Sequence, residues 1–180
     1  PRVALKICKV ADREENQADE KRELELLQSM KHPNIVTVSS FFALERDARV
    51  HSTYVFPFFE RDLFHTLYDD EDEVFGVDRA KGIARGILNA LMYLRDKTIS
   101  HGDLKPENIL ISSEDGRPVL TDFGSARTPE HTDSHVGCTT AYRSPEMICM
   151  NKTCPSGDMW SFGCVVFEMF TKEALFDFGG

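Results

Sequence analysis

The chain has 180 residues, enough for one sizeable domain and too few for two of ordinary size. A formal net charge of -9 argues against broad contact with nucleic-acid phosphates, and no run of about 18 apolar residues offers a membrane span, so neither is expected as a partner. Hydrophobic residues at 41% and charged residues at 28% fit a soluble globular protein, and the start carries no signal-peptide pattern.

Arg2 to Cys8 alternates as a strand does, with Val3, Leu5 and Ile7 on one face and Ala4, Lys6 and Cys8 on the other. Lys6 thus shares a face with small residues, looking either into a cleft or, at a sheet edge, into solvent. Asp12 to Met30 reads as a helix capped by Asp12, with acidic residues in its first turn. Glu23, Leu27 and Met30 share one stripe of it. A carboxylate buried on such a stripe needs a cation, and Lys6 is the natural candidate. His32-Pro33-Asn34 ends the helix, because proline disfavours helical geometry in the residue before it. Ile35 to Phe42 and His51 to Phe56 are predicted strands joined by a turn at Glu45-Arg46-Asp47. Phe56 to Glu60 then breaks the pattern as a connector, where Pro57 has no amide proton and offers only its carbonyl. Tyr68 to Glu73 reads as a solvated acidic loop, with a surface for a basic partner as the alternative.

Val77 to Asp96 has the clearest helical pattern, with Ala80, Ile83, Ile87, Leu91 and Leu94 opposite a polar stripe of Lys81, Arg85 and Asn89. After Ser100-His101-Gly102-Asp103-Leu104-Lys105-Pro106-Glu107-Asn108, two apolar runs, Ile109 to Ile111 and Pro118 to Thr121, flank Ser113-Glu114-Asp115-Gly116 and signal a hairpin. Gly124 to Ser144 is polar and reads as a long loop, of the kind usually kept for function. Asp158 to Phe170 reads as a second, nearly all-apolar helix. A strand-rich first third followed by a helical remainder suggests two lobes meeting at Phe56 to Glu60. Cys8, Cys138, Cys149, Cys154 and Cys164 are odd in number and contain no Cys-x-x-Cys pair, so they read as free thiols of a reducing compartment.

The hairpin returns the chain to its start, so Asn108 and Asp122 can face each other. A carboxylate and an amide oxygen converging in this way suit magnesium, a hard cation often held together with substrate phosphates. Each residue taken singly is more often a turn former. Asp103 and Lys105 alongside them tip the reading toward chemistry. Asp103 is placed to accept a hydrogen bond from a substrate hydroxyl, and Lys105 to put positive charge where negative charge develops.

The blocks Val3-Ala4-Leu5-Lys6, Arg22-Glu23-Leu24, His101 to Asn108, Asp122-Phe123-Gly124, Ser144-Pro145-Glu146 and Asp158-Met159-Trp160, in that order, resemble the catalytic domain of eukaryotic protein kinases. The resemblance implies an α+β, two-lobed protein kinase-like fold, with residues 1–56 as N-lobe, 57–60 as hinge and 61–180 as C-lobe. It implies a serine/threonine protein kinase that transfers the γ-phosphoryl of ATP, with Mg2+, to protein hydroxyls in the cytoplasm and/or nucleus. In that scheme Lys6 holds the ATP phosphates and Glu23 is its ion-pair partner. Ala4, Phe56, the Pro57 carbonyl and the Phe59 amide surround adenine. Asp103 is the catalytic base with Lys105 beside it, and Asn108 and Asp122 are the magnesium ligands. Lys105-Pro106-Glu107-Asn108 and Thr139 resemble the serine/threonine branch. His32-Pro33-Asn34-Ile35, Tyr142-Arg143-Ser144-Pro145-Glu146 and Ala174-Leu175-Phe176 lean toward the cyclin-dependent kinase-like group, which implies a protein substrate and a cyclin-like or other regulatory partner.

Two departures qualify the resemblance. Gly102 stands where most of the family has an arginine that meets an activation-loop phosphate, so a weaker dependence on phosphorylation at the matching Ser134 is expected. The glycine-rich loop expected ahead of the first strand and the last helices expected beyond Gly180 are not in the sequence, which implies a domain incomplete at both ends with exposed apolar surface. The rival readings are a pseudokinase or ATP-binding scaffold, and a kinase of small molecules. Intact Lys6, Asp103, Asn108 and Asp122 weigh against the first, and Thr139 with Ser144-Pro145-Glu146 against the second.

Overall fold

A computed structural model of the protein describes residues 2–8, 14–46, 49–69, 75–128, 139–150 and 154–176. Asp12, Asp47, the acidic run 70–73 and Ser134 lie outside them.

The first sheet is antiparallel with strand order β1-β3-β2, formed by β1 (Val3–Ile7), β2 (Ser40–Arg46) and β3 (Arg49–Pro57). Its register sets Ala4 opposite Phe56 and Lys6 opposite Tyr54. The alternation of β1 now has a direction. Val3 and Leu5 are each 52% exposed, whereas Ala4 and Lys6 are half-buried on the face that holds Tyr54 and Phe56. Helix α1 (Glu14–Ser29) presents Glu23, Leu26 and Leu27 to this region, and all three are buried, as is Met30 beyond its end.

The strand predicted from Ile35 begins only at Ser40. The apolar pair Ile35-Val36 is drawn away to Leu120 instead. Val36 N–H donates to Leu120 O at 2.8 Å and Leu120 N–H to Asn34 O at 2.9 Å. Asn34 Nδ2 adds a bond to Pro118 O at 2.8 Å. Local alternation does not say which segment an apolar run will pair with.

The second sheet has order β4-β5-β6, from β4 (Arg61–Asp62), β5 (Ile109–Ile111) and β6 (Pro118–Leu120). Helix α3 (Val77–Asp96) has the predicted bounds and packs against β6 and against α5 (Pro155–Thr171), burying Ile83, Ile87, Leu91 and Leu94. Two short helices, α2 (Leu63–Tyr68) and α4 (Pro145–Met150), had no counterpart in the sequence reading. Less than two turns is too short for a hydrophobic period to register. Capping holds α2 instead, with Asp62 Oδ1 accepting from His65 N–H at 2.8 Å. The architecture is α+β. Apolar side chains remain exposed along β1 and on α5, where Trp160 is 39% and Phe170 55% exposed.

Candidate active site

The predicted polar site residues fall into two groups. The first is built on β1, α1 and the segment after β6. Lys6 Nζ donates to Glu23 Oε1 at 2.6 Å and to Asp122 Oδ1 at 2.9 Å. Glu23 is only 7% exposed, so this cation compensates a carboxylate that would otherwise be costly to bury. Burial alone would pull the Lys6 ammonium down, but Glu23 and Asp122 outweigh it and its pKa is raised. Burial would likewise push Asp122 up, yet Lys6, and more weakly His101, hold it below the ordinary aspartate value. Asp122 has left-handed backbone angles, φ 59 and ψ 77, which aspartate tolerates better than most residues. Such strain clusters at functional sites.

The second group gathers around Asp103, 7% exposed, in the loop between α3 and β5. Its Oδ1 accepts from Thr139 N–H at 2.9 Å and from Thr139 Oγ1 at 3.2 Å. Its Oδ2 accepts from Asn108 Nδ2 at 3.1 Å and lies 3.2 Å from Lys105 Nζ. Lys105 also donates to Thr139 Oγ1 at 2.7 Å. Acid, lysine and hydroxyl thus form one hydrogen-bonded cluster.

The β5–β6 hairpin returns the chain as its spacing predicts, with Thr121 N–H donating to Asn108 O at 3.0 Å. It thereby links the two groups, since Asp122 follows Thr121. The Asn108 amide nitrogen serves Asp103, so its amide oxygen is the atom that could bind a cation. The Asp122 carboxylate, its side chain 49% exposed, is the other oxygen group that could do so. Among the described residues no group of three or more His, Cys, Asp or Glu could hold a metal by itself. An all-oxygen pair, one amide and one carboxylate, fits magnesium that takes its remaining ligands from phosphates and water.

Phe56 is 9% exposed and stacks on Tyr54 with ring centroids 6.2 Å apart. Pro57 ends β3, paired with Val3. The connector that follows borders two recesses. One of about 330 Å3 is walled by Pro57, Phe58, Phe59, Pro33, Val36 and Arg117. The other, of about 260 Å3, is walled by Phe59, Glu60, Asp62, His65 and Leu110. Along β5, Ile109 and Ile111 are buried while Leu110 is half-buried and turned to this second recess. Asp62 and His65 were not singled out from sequence, because a two-residue strand and a one-turn cap leave no periodic trace; Leu110 stood in a predicted apolar run, which does not show which of its residues turns to a recess.

Asp158 was recognised in a motif but given no role. It is 4% exposed and accepts from Ser100 Oγ at 3.0 Å, His101 N–H at 2.7 Å and Gly102 N–H at 2.9 Å. It therefore fixes the turn that leads into Asp103. An acid in the first turn of an otherwise apolar helix is the signal that could have found it. Gly102 occupies φ 79, a conformation other residues adopt only with strain.

The sequence model of the protein kinase domain matches residues 1–179. The chain belongs to the protein kinase family. Mouse cyclin-dependent kinase 4 is 36% identical over 156 residues, 85% of this chain and 51% of the relative. The glycogen synthase kinase-3 homolog YGK3 of Saccharomyces cerevisiae is 34% identical over 164 residues, 86% of this chain and 44% of its own length. Mouse serine/threonine-protein kinase 36 is 34% identical over 171 residues, 93% of this chain and 12% of the relative. These relatives support the serine/threonine branch and the cyclin-dependent kinase-like lean. The chain spans about half the length of the first of them, or less in the others.

Proposed function

We propose that this chain is the core of a serine/threonine protein kinase that transfers the γ-phosphoryl of Mg-ATP to a protein hydroxyl. The observation that carries the reading is the Asp103 carboxylate, held on one oxygen by Thr139 and on the other by Asn108 and Lys105. Asp103 orients the incoming hydroxyl and accepts its hydrogen bond; Lys105 places positive charge beside the transferring group. Lys6, kept cationic and aimed by Glu23, binds the nucleotide phosphates. Asn108 and Asp122 hold magnesium, which when bound neutralises phosphate charge. Phe59, Ala4, Phe56 and the Pro57 carbonyl, with Leu110, form the adenine side, and residues 57–60 act as the hinge between lobes 1–56 and 61–180. A regulatory protein partner, cyclin-like or other, and an intracellular setting in cytoplasm and/or nucleus belong to the same reading.

The test is phosphotransfer by the full-length protein and its Asp103→Asn variant, with Mg-ATP binding followed by thermal shift. Loss of about a hundredfold or more in rate with binding retained is expected. Binding of Mg-ATP with no Asp103-dependent transfer would make the protein a nucleotide-binding scaffold instead.

A further inference from the structure

His32 stands just past the end of α1, half-buried, and takes no part in the groups above. Its ring nitrogen Nδ1 accepts a hydrogen bond from Asn34 N–H at 3.1 Å, and its carbonyl accepts from Ile35 N–H at 3.1 Å. The two bonds close a turn over residues 32–35. Accepting at Nδ1 places the imidazole proton on Nε2, so the ring that closes the turn is the neutral one.

The turn sets the course of the residues that follow it. Asn34 is 5% exposed, and its side chain and carbonyl bind Pro118 and Leu120 of β6. Ile35 and Val36 are buried behind it, and Val36 N–H completes the junction at Leu120 O. Positive charge prevails around the ring. Lys31 precedes it and donates its N–H to Tyr93 Oη at 3.0 Å. From α3 the Tyr93 ring packs against His32 with centroids 5.1 Å apart, and Lys97 Nζ lies 5.2 Å from the centre of the same tyrosine ring. From the β5–β6 hairpin Arg117, paired with Asp115, donates to Pro33 O, and Arg117 and Glu114 line the larger recess alongside His32. The connector contributes only the uncharged Pro57, Phe58 and Phe59 to that recess.

We propose that His32 is a proton-operated latch on the junction between residues 34–36 and β6. Neutral, the ring supplies the acceptor that closes the turn. A proton arriving at Nδ1 makes that atom a donor facing the Asn34 N–H. The bond is then lost, and a buried donor left without an acceptor destabilises the closed turn. Residues 34–36 open away from Pro118 and Leu120 more often, and with them moves the wall that His32, Pro33 and Val36 give to the larger recess. Burial holds the ring's pKa below the ordinary histidine value. The latch's contribution is therefore complete above the ordinary value of 6.5 and is lost as pH falls through the lower folded one. Phosphoryl transfer plays no part in the latch, so it stands or falls separately from the kinase reading.

The experiment compares the full-length wild type with His32→Asn and His32→Phe between about pH 8 and about pH 5. Asparagine sets Oδ1 where the ring has Nδ1 and takes up no proton in this range; phenylalanine keeps a ring but has no acceptor. Amide hydrogen exchange is followed at Asn34, Val36 and Leu120, corrected for its intrinsic pH dependence and referred to the buried Ile87 of α3. Nitrogen-15 NMR of the imidazole reports which ring atom carries the proton. In the wild type, protection at the three amides is expected to fall roughly tenfold on acidification while Ile87 holds. His32→Asn should stay protected throughout, and His32→Phe should sit at the acid level at every pH. The imidazole should carry its proton on Nε2 at neutral pH. The latch is overturned if wild-type protection is the same at both ends of the range, if His32→Asn loses as much as the wild type, or if Nδ1 carries the proton at neutral pH. Should His32→Phe fail to fold, the wild type and His32→Asn still decide.

Discussion

Lys6 and Asp122, 116 positions apart in the chain, meet through a 2.9 Å hydrogen bond between ammonium and carboxylate. Their shifts define its pH window. Asp122 is held below 3.8, so its contribution to stability is complete above that value and is lost as pH falls through its folded pKa. Lys6 is raised above 10.5, so its contribution is complete below that value and is lost as pH rises through its folded pKa. A double-mutant cycle of Lys6→Met with Asp122→Asn, read by urea unfolding, should give a coupling that is flat between those limits and vanishes beyond them. The side chains are 37% and 49% exposed, so solvent screening keeps the coupling to about 1 kcal/mol or less, and added salt should shrink it. A coupling that varied steeply near neutral pH would contradict the pairing.

Asp158 and Gly102 make a second prediction. Three donors converge on the Asp158 carboxylate, and an asparagine there would turn a donor toward at least one of them. Asp158→Asn should destabilise the protein by roughly 2–3 kcal/mol in urea unfolding. Gly102→Ala forces a β-carbon into φ 79 and should cost about 1 kcal/mol. Wild-type stability of both variants would mean that this turn is not held as described.

Much of this was legible in the sequence, for identifiable reasons. Helix α3 was legible to its bounds because its apolar positions repeat over five turns. The Lys6–Glu23 pairing was legible because a carboxylate on a buried stripe demands a cation, and Lys6, on the small-residue face of β1, was the natural candidate. Ile35 to Ser39 was misread because alternation carries no information about which strand an extended segment will join. The anchoring role of Asp158 was hidden for a different reason. It is a long-range hydrogen-bond acceptor, 56 positions from Gly102, and no local pattern encodes its donors.

The packing of α3 on β6 supplies a third prediction. A β-carbon built on Gly86 would lie 2.5 Å from Pro118 Cγ and 2.9 Å from Asn34 Nδ2. Alanine gains about 1 kcal/mol over glycine as a helix former. Here the overlap meets a proline ring fixed in a strand and an amide bonded to Pro118 O, so neither neighbour can yield cheaply. Overpacking of this kind costs about 1–3 kcal/mol, which outweighs the propensity gain. Gly86→Ala should therefore lower the melting temperature, whereas Gly82→Ala on the same helix, with open space around its site, should raise it. Equal effects at the two positions would refute the close crossing.

Ser144 gives the last prediction, with the opposite sign. It is fully buried, and its Oγ has no hydrogen-bond partner among the described residues. A β-carbon built on the neighbouring Gly157 would lie 3.2 Å from both Ser144 Oγ and Met147 Sδ and 3.7 Å from Glu146 Oε1, so the hydroxyl sits in tight packing. An orphaned hydroxyl costs about 1–3 kcal/mol of desolvation, while the methyl group of alanine incurs none of it. The void left by one oxygen atom is smaller than a methyl group, so the cavity term stays under about 1 kcal/mol. The first effect wins. Ser144→Ala should raise stability by roughly 1 kcal/mol in urea or thermal unfolding, and Ser144→Val, which adds volume against Gly157 and Met147, should lower it. A destabilised Ser144→Ala variant would mean that the hydroxyl has a partner in solution after all.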